Sequence, residues 1–524
     1  MTKLRADSSW PFRGVSRATA ATVLAVLVLG VLFADSLAPF YAQGPRPGAP
    51  EADFRRALDR EVPFILGRYG VPGVAIGVML HGDPGPTYAY GLANVEHHRP
   101  MTTQTVFRVA SLSKSVSAWG ILTLVDDGKI DLDQPAERYL DQWPLPPSAY
   151  PSNAVTVRQL LTHTSGLNAG EDEFMPPSEP LPSPLALLAK EGPGLPGAAG
   201  PARLIAPAGA SFLYSVPGYT FVQLLIERLS GETFAAYMRD QVLHPLGMTS
   251  SSYDWDKALG ARLATPYLQD GRPGDIVMAQ DAAADSLLST VGDMVNFLAA
   301  PIPGQKLPVG AGVISKEMAG QLFLRPKGDS IPRMDLLGPD ASCLGCFIEH
   351  SEGGPVYVTN EGNDQGWRAQ IHTVPATGDG IVVLANSDRA PPAIAQIDSM
   401  WANWRGLPAP QMTRTLRAVG FSASMVVALT AGVAMWAGAG CVAEVQAKRR
   451  KFLSLRPASL LQSLAEWLVG GSIVYLWVLL RDVFELVPHF ALIARLAVTG
   501  LVAAVLARTL FPLAPDAQAL PPHP

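Results

Sequence analysis

Residues 107–114 read FRVASLSK and contain a serine and a lysine three positions apart, Ser111 and Lys114. The apolar-rich run 116–125 that follows predicts a buried helix with Ser111 near its N-terminus, where the helix dipole favours developing negative charge. Positions i and i+3 share one helix face, so the lysine amine would lie beside the serine hydroxyl. Because a serine hydroxyl needs a nearby base to act as a nucleophile, this spacing predicts a serine nucleophile. The alternative is a solvated helix start with Ser111 or Ser113 as the N-cap.

Four further segments follow this motif in order. They are VTVRQLLTHTSGL at 155–167, YSVPGY at 214–219, LSTVGDM at 288–294 and NEGNDQGW at 360–367. In that order and at those separations they resemble the serine β-lactamase-related family, which includes class C β-lactamases, D-alanyl-D-alanine carboxypeptidases, D-aminopeptidases and related esterases. The resemblance runs from about Glu61 to about Trp404. Several motifs in one order are more specific than S-x-x-K alone.

The resemblance implies catalytic roles for three residues. Ser111 would attack a carbonyl group and form an acyl-enzyme. Lys114 would be the base, or would keep a neighbouring base ionised, since a desolvated lysine can have a depressed pKa. Tyr214 matches the tyrosine of the family's Y-x-N element. Beside an ammonium its phenol would be stabilised as a phenolate that relays protons.

Two positions depart from the family pattern. Val216 stands where Y-x-N has its asparagine, whose amide in the family helps to orient the lysine and the substrate. Asn360 stands where the family has Lys or His two positions before a glycine, so a substrate carboxylate would be held less firmly. Gly362 would still permit close backbone approach, and the backbone N–H groups of Ser111 and Asn363 are the candidate oxyanion hole. These departures favour an esterase or peptidase over an efficient β-lactamase.

Three alternatives stay open. His163 could serve Ser111 as a base, with Asp293 or Asp364 as the third member, although S-x-x-K already supplies a base. The two motif departures also permit a catalytically weakened protein that binds a peptide or a cell-wall fragment. A third interpretation gives the C-terminal helices the main role, as a transporter or the partner of a sensor.

The composition excludes some functions. Of 524 residues 16% are charged, against roughly 25% in typical soluble domains, which suggests that part of the chain lies in lipid. The net charge of −5 offers no basic surplus, so we predict no nucleic-acid partner. We predict no metal, because the C-x-x-C pair Cys343 and Cys346 has no further ligands nearby. The acyl-enzyme chemistry that the resemblance implies involves no organic cofactor. A disulfide is one interpretation of this pair, and two unlinked packing residues are the favoured one.

Apolar runs near both ends predict attachment to a membrane. Arg5, Arg13 and Arg17 precede the apolar run 18–33, which is typical of an export signal or an uncleaved anchor. Three later runs are long enough to cross a bilayer of about 30 Å at about 1.5 Å per residue. They are 419–442, 460–480 and 490–511. The basic cluster 448–451 should stay cytoplasmic, which places the catalytic domain on the periplasmic or extracellular side of a bacterial cytoplasmic membrane.

The order of predicted elements indicates an α+β fold. A helix at 55–69 and a hairpin of 74–79 with 87–90 precede the Ser111 helix, and helices at 220–229 and 234–242 follow it. Late strands are predicted at 346–349, 356–359, 367–373 and 380–385. This order suits an antiparallel sheet flanked by helices, with an inserted helical lobe and a cleft for a small-molecule or peptide substrate. The predicted domains are a signal or anchor at 1–50, a β-lactamase-like hydrolase at 51–405, and a membrane domain at 406–524 with about three transmembrane helices.

Overall fold

The computed structural model describes residues 44–145, 147–170, 173–189, 201–325, 339–351 and 353–411, together with scattered positions beyond 411. These ranges belong to one compact unit, Ala42–Thr415. The predicted export segment lies outside the described residues, and the predicted C-terminal membrane segments lie almost entirely outside them. Among the helices that are described, none combines the length and the apolar character needed to cross a bilayer.

The strands of the described ranges are β1 (Gly73–Leu80), β2 (Asp83–Asn94), β3 (Arg99–Pro100), β4 (Val106–Arg108), β5 (Phe174–Met175), β6 (Met278–Ala279), β7 (Leu288–Thr290), β8 (Ala341–Cys343), β9 (Cys346–His350), β10 (Val356–Asp364), β11 (Trp367–Val374) and β12 (Asp379–Ala385). The α-helices there are α1 (Glu51–Tyr69), α2 (Leu112–Asp126), α3 (Val157–Leu161), α4 (Pro184–Ala189), α5 (Val216–Ser230), α6 (Phe234–Met238), α7 (Lys257–Arg262), α8 (Ala282–Asp285), α9 (Val291–Ala299), α10 (Lys316–Leu322) and α11 (Pro391–Arg405). A π-helical segment, Arg239–Leu243, follows α6 directly.

An antiparallel sheet of eight strands forms the framework, in the order β3-β2-β1-β12-β11-β10-β9-β8. Strands from the beginning and the end of the domain sequence meet in the sheet where β1 pairs with β12, with Val74 opposite Ala385. The predicted hairpin and the four late strands are confirmed. Strand β10 continues past its predicted end at residue 359, because pairing with β11 extends to Asp364 opposite Trp367.

Helices α2 to α10 lie between β4 and β8 in the chain, and α2 is central among them. Residues 112–124 of α2 are all buried. This burial on every side arises because α2 packs against both α5 and α8, which also enclose its polar residues such as Lys114. The sequence-based prediction of an α+β fold with helices inserted between strands is confirmed.

Helix α5 begins earlier than predicted. Its N-cap is Ser215, whose side chain accepts a hydrogen bond from the backbone N–H of Gly218, and Pro217 lies in its first turn. Proline is favoured there because its missing N–H would have no helical partner. The helix ends at Gly231, as predicted, with the left-handed φ of 74° that suits glycine. The early start places Tyr214 directly before the first turn of α5.

Candidate active site

Ser111 lies at the junction between β4 and α2. Before it, Ala110 has a left-handed φ of 48°, a conformation that costs a non-glycine residue on the order of 1–3 kcal/mol and recurs at functional sites. Ser111 occupies the N-cap position of α2, but its side chain caps no backbone N–H. Ser113, the other candidate cap, donates a hydrogen bond to the carbonyl oxygen of Ala110 at 2.6 Å. The alternative of a solvated helix cap is therefore wrong.

Three side chains surround the Ser111 hydroxyl. Lys114 Nζ lies 3.0 Å from Ser111 Oγ, and the Tyr214 hydroxyl lies 2.9 Å from it. Asp285 Oδ1 lies 2.7 Å from the same oxygen. The structure thus brings together the three residues predicted for catalysis and adds a carboxylate that was not predicted. All three groups are within the distance of a hydrogen bond, so each can exchange a proton with the hydroxyl.

Lys114 is buried and surrounded by oxygen atoms. Only 2% of the residue is exposed. Besides Ser111, Nζ donates to the carbonyl oxygen of Ala284 at 3.2 Å and to Asp285 Oδ2 at 3.0 Å. It also lies 5.1 Å from the centre of the Tyr214 ring. These contacts suit an ammonium, which has three protons to donate and no acceptor.

Asp285 is the site residue that sequence reasoning missed. It is the last residue of α8, it is buried, and its two carboxylate oxygens contact Ser111 and Lys114. Its sequence signal is weak, because the residue follows three alanines and no motif spacing links it to Ser111. The packing of α8 against α2 brings the carboxylate to the serine.

Tyr214 is a neutral phenol in this site. Burial raises the pKa of its hydroxyl by more than the nearby Lys114 lowers it, and Asp285 raises it further. Removal from water thus disfavours the phenolate that the resemblance implied, and the direction of this shift favours the neutral phenol. A phenol can donate a hydrogen bond to Ser111 Oγ and can deliver a proton during a reaction.

His163 supports Tyr214 and does not serve Ser111 as a base. The two rings stack with their centres 4.4 Å apart, and His163 Nδ1 accepts a hydrogen bond from the backbone N–H of Ser215 at 3.1 Å. Burial lowers the pKa of the imidazole to about 3, and the positive charge of Lys114 acts in the same direction. His163 is thus neutral at neutral pH and positions the residues around the start of α5.

The two acids proposed as partners of His163 lie in other networks. Asp293 accepts a hydrogen bond from the Ser251 hydroxyl at 2.7 Å. Asp364 forms a buried ion pair with Arg108. With the imidazole committed to Ser215, the alternative of a Ser–His–Asp site is wrong.

The two positions that depart from the family motifs are both buried. Val216 is 5% exposed and is the first residue of α5. Asn360 is also 5% exposed, and its Nδ2 donates to Ser115 Oγ at 2.7 Å and to the carbonyl oxygen of Gly345 at 3.3 Å. Both amide protons are used within the protein, so this side chain supports α2. The assignment of Asn360 to the substrate-binding residues stays a prediction, with its amide engaged inside the protein in this structure.

Strand β10 passes close to the turn that carries Ser111. A Cβ on Gly362 would overlap the carbonyl oxygen of Val109, so glycine is required for this approach. Strand β9 pairs with β10 only from Val356 to Thr359, so β9 does not cover the edge of β10 from Asn360 to Asp364. The oxyanion hole formed by the backbone N–H groups of Ser111 and Asn363 stays a prediction that this placement allows.

Cys343 and Cys346 form a disulfide, so the prediction of two unlinked packing residues is wrong. The cysteines end β8 and begin β9, and the turn between these antiparallel strands brings their Cα atoms to 4.9 Å. That separation lies within the range that a disulfide spans. Gly345, in the same turn, accepts hydrogen bonds from Ser115 and Asn360. The disulfide therefore closes a turn that contacts the Ser111 helix.

Curated proteins similar to this chain include enzymes of the type that the motifs indicate. The serine β-lactamase-like protein LACTB, mitochondrial, from Mus musculus is 25% identical over 363 residues, which is 56% of this chain and 65% of that protein. Esterase EstB from Burkholderia gladioli is 32% identical over 259 residues, which is 46% of this chain and 62% of that protein. The chain thus spans less than two thirds of the length of these relatives.

A solved structure and a family model agree on the fold. The octameric penicillin-binding protein homologue from Pyrococcus abyssi superposes with a TM-score of 0.53 at 24% identity, over 66% of this chain and 75% of that one. At this identity the likeness shows the fold alone. Residues 52–402 match the family model described as Beta-lactamase, which covers more than half of the chain. The chain therefore belongs to the β-lactamase family, whose members are typically serine hydrolases.

Proposed function

We propose that this protein is a serine hydrolase that cleaves an ester or amide bond through an acyl-enzyme on Ser111. The observation that carries the proposal is the contact of the Ser111 hydroxyl with both Lys114 and Tyr214, at 3.0 and 2.9 Å. A hydroxyl with proton-transfer groups within hydrogen-bond reach is the arrangement that nucleophilic catalysis requires. The N-terminus of α2 behind Ser111 favours the negative charge that develops during attack.

The three residues divide the chemistry of acylation. Ser111 Oγ attacks the carbonyl carbon of the substrate. Lys114 holds a positive charge beside the nucleophile, where it stabilises an oxygen that is losing its proton. Tyr214, as a neutral phenol, donates to Ser111 Oγ and supplies a proton for the leaving group.

The charges around Ser111 favour a substrate that has no carboxylate next to the scissile bond. Asn360 is uncharged, and its amide is bonded within the protein. The negative charge of Asp285 near the nucleophile is balanced by Lys114, whose Nζ lies 3.0 Å from Asp285 Oδ2, so this pair offers a substrate carboxylate no net positive charge. We therefore favour an uncharged ester or a peptide-like amide over penicillins and cephalosporins. One of the similar proteins is named an esterase.

Labelling of the full-length protein tests this proposal. A fluorophosphonate probe should add one equivalent of mass to Ser111, and the Ser111→Ala variant should remain unlabelled. Hydrolysis of p-nitrophenyl esters should follow the same pattern. Tyr214→Phe should lower kcat/KM by about 10²–10⁴, the usual contribution of a positioned acid or base.

Tyr219→Phe is the matched control for Tyr214→Phe. Tyr219 is a buried tyrosine five positions later whose hydroxyl donates to the carbonyl oxygen of Leu161. This variant should retain most of the esterase activity. If folded wild-type protein were unlabelled by fluorophosphonate and by fluorescent penicillin, the hydrolase proposal would fail. A catalytically weakened binder of peptides or cell-wall fragments would then be the better description.

We also propose that the hydrolase domain is exported and attached to a bacterial cytoplasmic membrane. The support is the apolar run 18–33 and the three apolar runs beyond residue 418, with the basic cluster 448–451 between the first two of them. Alkaline phosphatase fused after residue 410 should be active outside the cytoplasm, and the same fusion after residue 452 should be inactive. The reverse result would contradict the proposed orientation.

A further inference from the structure

The Ser111 hydroxyl carries one proton, and its neighbours determine where that proton lies. Tyr214 is a neutral phenol that donates to Ser111 Oγ. Lys114, as an ammonium, can only donate to the same oxygen. An ionised carboxylate can only accept, and Asp285 Oδ1 is 2.7 Å away. The hydrogen-bond pattern therefore places the hydroxyl proton between Ser111 Oγ and Asp285 Oδ1.

We infer that Asp285 is the general base that removes the proton of Ser111 as the serine attacks its substrate, an assignment that rests on the proposed function. Asp285 touches the reacting oxygen, so it would be a catalytic residue. Its other carboxylate oxygen, Oδ2, lies 3.0 Å from Lys114 Nζ. The lysine thus fixes the orientation of the carboxylate and provides a positive charge beside it.

The burial of this ion pair supports the assignment. The side chains of Lys114 and Asp285 are 2% and 4% exposed. Charges so far from water persist only when they are paired and hydrogen-bonded, so each member requires the other. Val216 cannot supply a polar partner to the lysine, and Asp285 supplies one from another helix.

In the acylation step, the O–H bond of Ser111 breaks and the proton forms a bond to Asp285 Oδ1. The electron pair left on Oγ forms the bond to the carbonyl carbon, whose π electrons move onto the carbonyl oxygen. When those electrons return, the bond to the leaving group breaks. The leaving group takes one proton from Asp285, or from Tyr214 with Asp285 then restoring the phenol. The carboxylate, the phenol and the ammonium end the step as they began it.

The titratable groups that face Asp285 belong to several elements. Lys114 lies on α2, Tyr214 directly before α5, and His163 directly after Thr162, at the end of α3. Asp364, at the end of β10, also interacts with Asp285 electrostatically. A pH profile must therefore be compared between variants that differ only at position 285.

The test measures kcat/KM against pH for the full-length wild-type protein and Asp285→Asn, with a neutral p-nitrophenyl ester. Asparagine keeps the size of the side chain and can accept a hydrogen bond from Lys114, but it cannot take up the serine proton. At pH 7 we expect kcat/KM to fall by about 10²–10⁴. The remaining activity should rise with pH through the alkaline range, where a lysine amine becomes available as the base.

Two further variants separate catalysis from folding. Asp281→Asn is the matched control, because Asp281 is a buried acid one turn earlier that bonds to the Thr220 hydroxyl. It should leave kcat/KM and its pH profile close to those of the wild type. In Asp285→Gly, added formate should restore part of the activity in a concentration-dependent manner, because the small carboxylate can enter the vacated space. Formate should not restore Ser111→Ala.

The outcomes distinguish this assignment from the proposed function. If wild-type protein acylates on Ser111 and Asp285→Asn keeps the same kcat/KM and pH profile, the assignment is overturned and the hydrolase proposal stands. A lower kcat/KM with an unchanged profile shape, without rescue by formate, would show that Asp285 only positions Lys114, which also overturns it. If the wild-type protein does not acylate at all, both fail.

Discussion

Replacing His163 by asparagine should make the stability of the protein less sensitive to acid. The imidazole is 4% exposed, and burial lowers its pKa from 6.5 to about 3. In the folded protein it accepts a hydrogen bond from the N–H of Ser215, and a protonated ring could not do so. Asparagine suits this position because His163 has a left-handed φ of 57°, which asparagine tolerates better than most residues.

The magnitude follows from linkage between protonation and folding. The folded-state pKa is depressed, so the stability that neutral His163 contributes is present above pH 6.5 and is lost as the pH falls toward 3. Averaged over the interval from pH 7 to pH 5, the unfolded chain binds about 0.7 of a proton at this residue, and the folded chain binds almost none. The free energy of unfolding should therefore fall by about 2 kcal/mol over this interval from His163 alone.

Denaturant unfolding followed by tryptophan fluorescence, at pH 7 and pH 5, measures this effect. Other groups titrate in the same interval, so the quantity to compare is the pH-dependent loss in wild type minus that in His163→Asn. His98→Asn is the matched control, because His98 is exposed and also has a left-handed φ, of 48°. Equal losses in wild type and His163→Asn would refute the inference that His163 is buried as the neutral imidazole.

Three further changes have defined outcomes. Gly362→Ala should prevent fluorophosphonate labelling of Ser111, because the added Cβ would overlap the Val109 carbonyl oxygen and displace β10 or the turn before Ser111. Replacing both Cys343 and Cys346 by serine should lower the free energy of unfolding by about 2 kcal/mol, the entropic effect of a four-residue loop. For His372, burial disfavours the charged ring, but Asp398 and other acids outweigh it and the pKa is raised above 6.5. The stability from this pairing is present below pH 6.5 and is lost as the pH rises through the raised pKa. In His372→Gln, the free energy of unfolding should therefore fall less steeply as the pH rises above 6.5.

Each of these three predictions has its own check. Gly292→Ala, in α9, adds a Cβ that has nothing within 4 Å, so Ser111 of this variant should react with the fluorophosphonate as in the wild type. The double serine variant should match the wild type measured under reducing conditions, and a clear difference between the two would argue against the disulfide as the cause. If the free energy of unfolding of His372→Gln fell above pH 6.5 as steeply as that of the wild type, the pairing of His372 with Asp398 would be contradicted.

Local sequence patterns correctly predicted the helices and strands whose apolar residues recur at regular spacing or form short runs. The helix expected at 55–69 is α1, which starts four residues earlier after Pro50 and ends at Gly70 with a left-handed φ of 65°. Proline before a helix and glycine after it mark these ends physically. The late strands were predicted for a similar reason, since a short apolar run such as that of β12 is a property of a few neighbouring residues.

Properties that depend on burial were not predicted from the sequence. A lysine three residues from a serine suggested a phenolate at Tyr214, yet burial has a larger effect on the pKa than the lysine. The disulfide was missed for a different reason. The spacing of Cys343 and Cys346 is compatible with many structures, and only the tight turn between β8 and β9 brings their Cα atoms together.

The sequence could predict that Lys114 needs an acidic partner, but it could not identify Asp285 as that partner. Val216 has no polar side chain to offer Lys114, which the helix pattern predicted to be buried, and a buried ammonium requires an acceptor. The sequence could therefore have predicted that some acid elsewhere contacts Lys114. It could not have identified that acid among 45 aspartates and glutamates, because the contact depends on how α8 packs against α2. The pairing of Lys114 with Asp285 is therefore a property of the tertiary structure, which no local sequence pattern specifies.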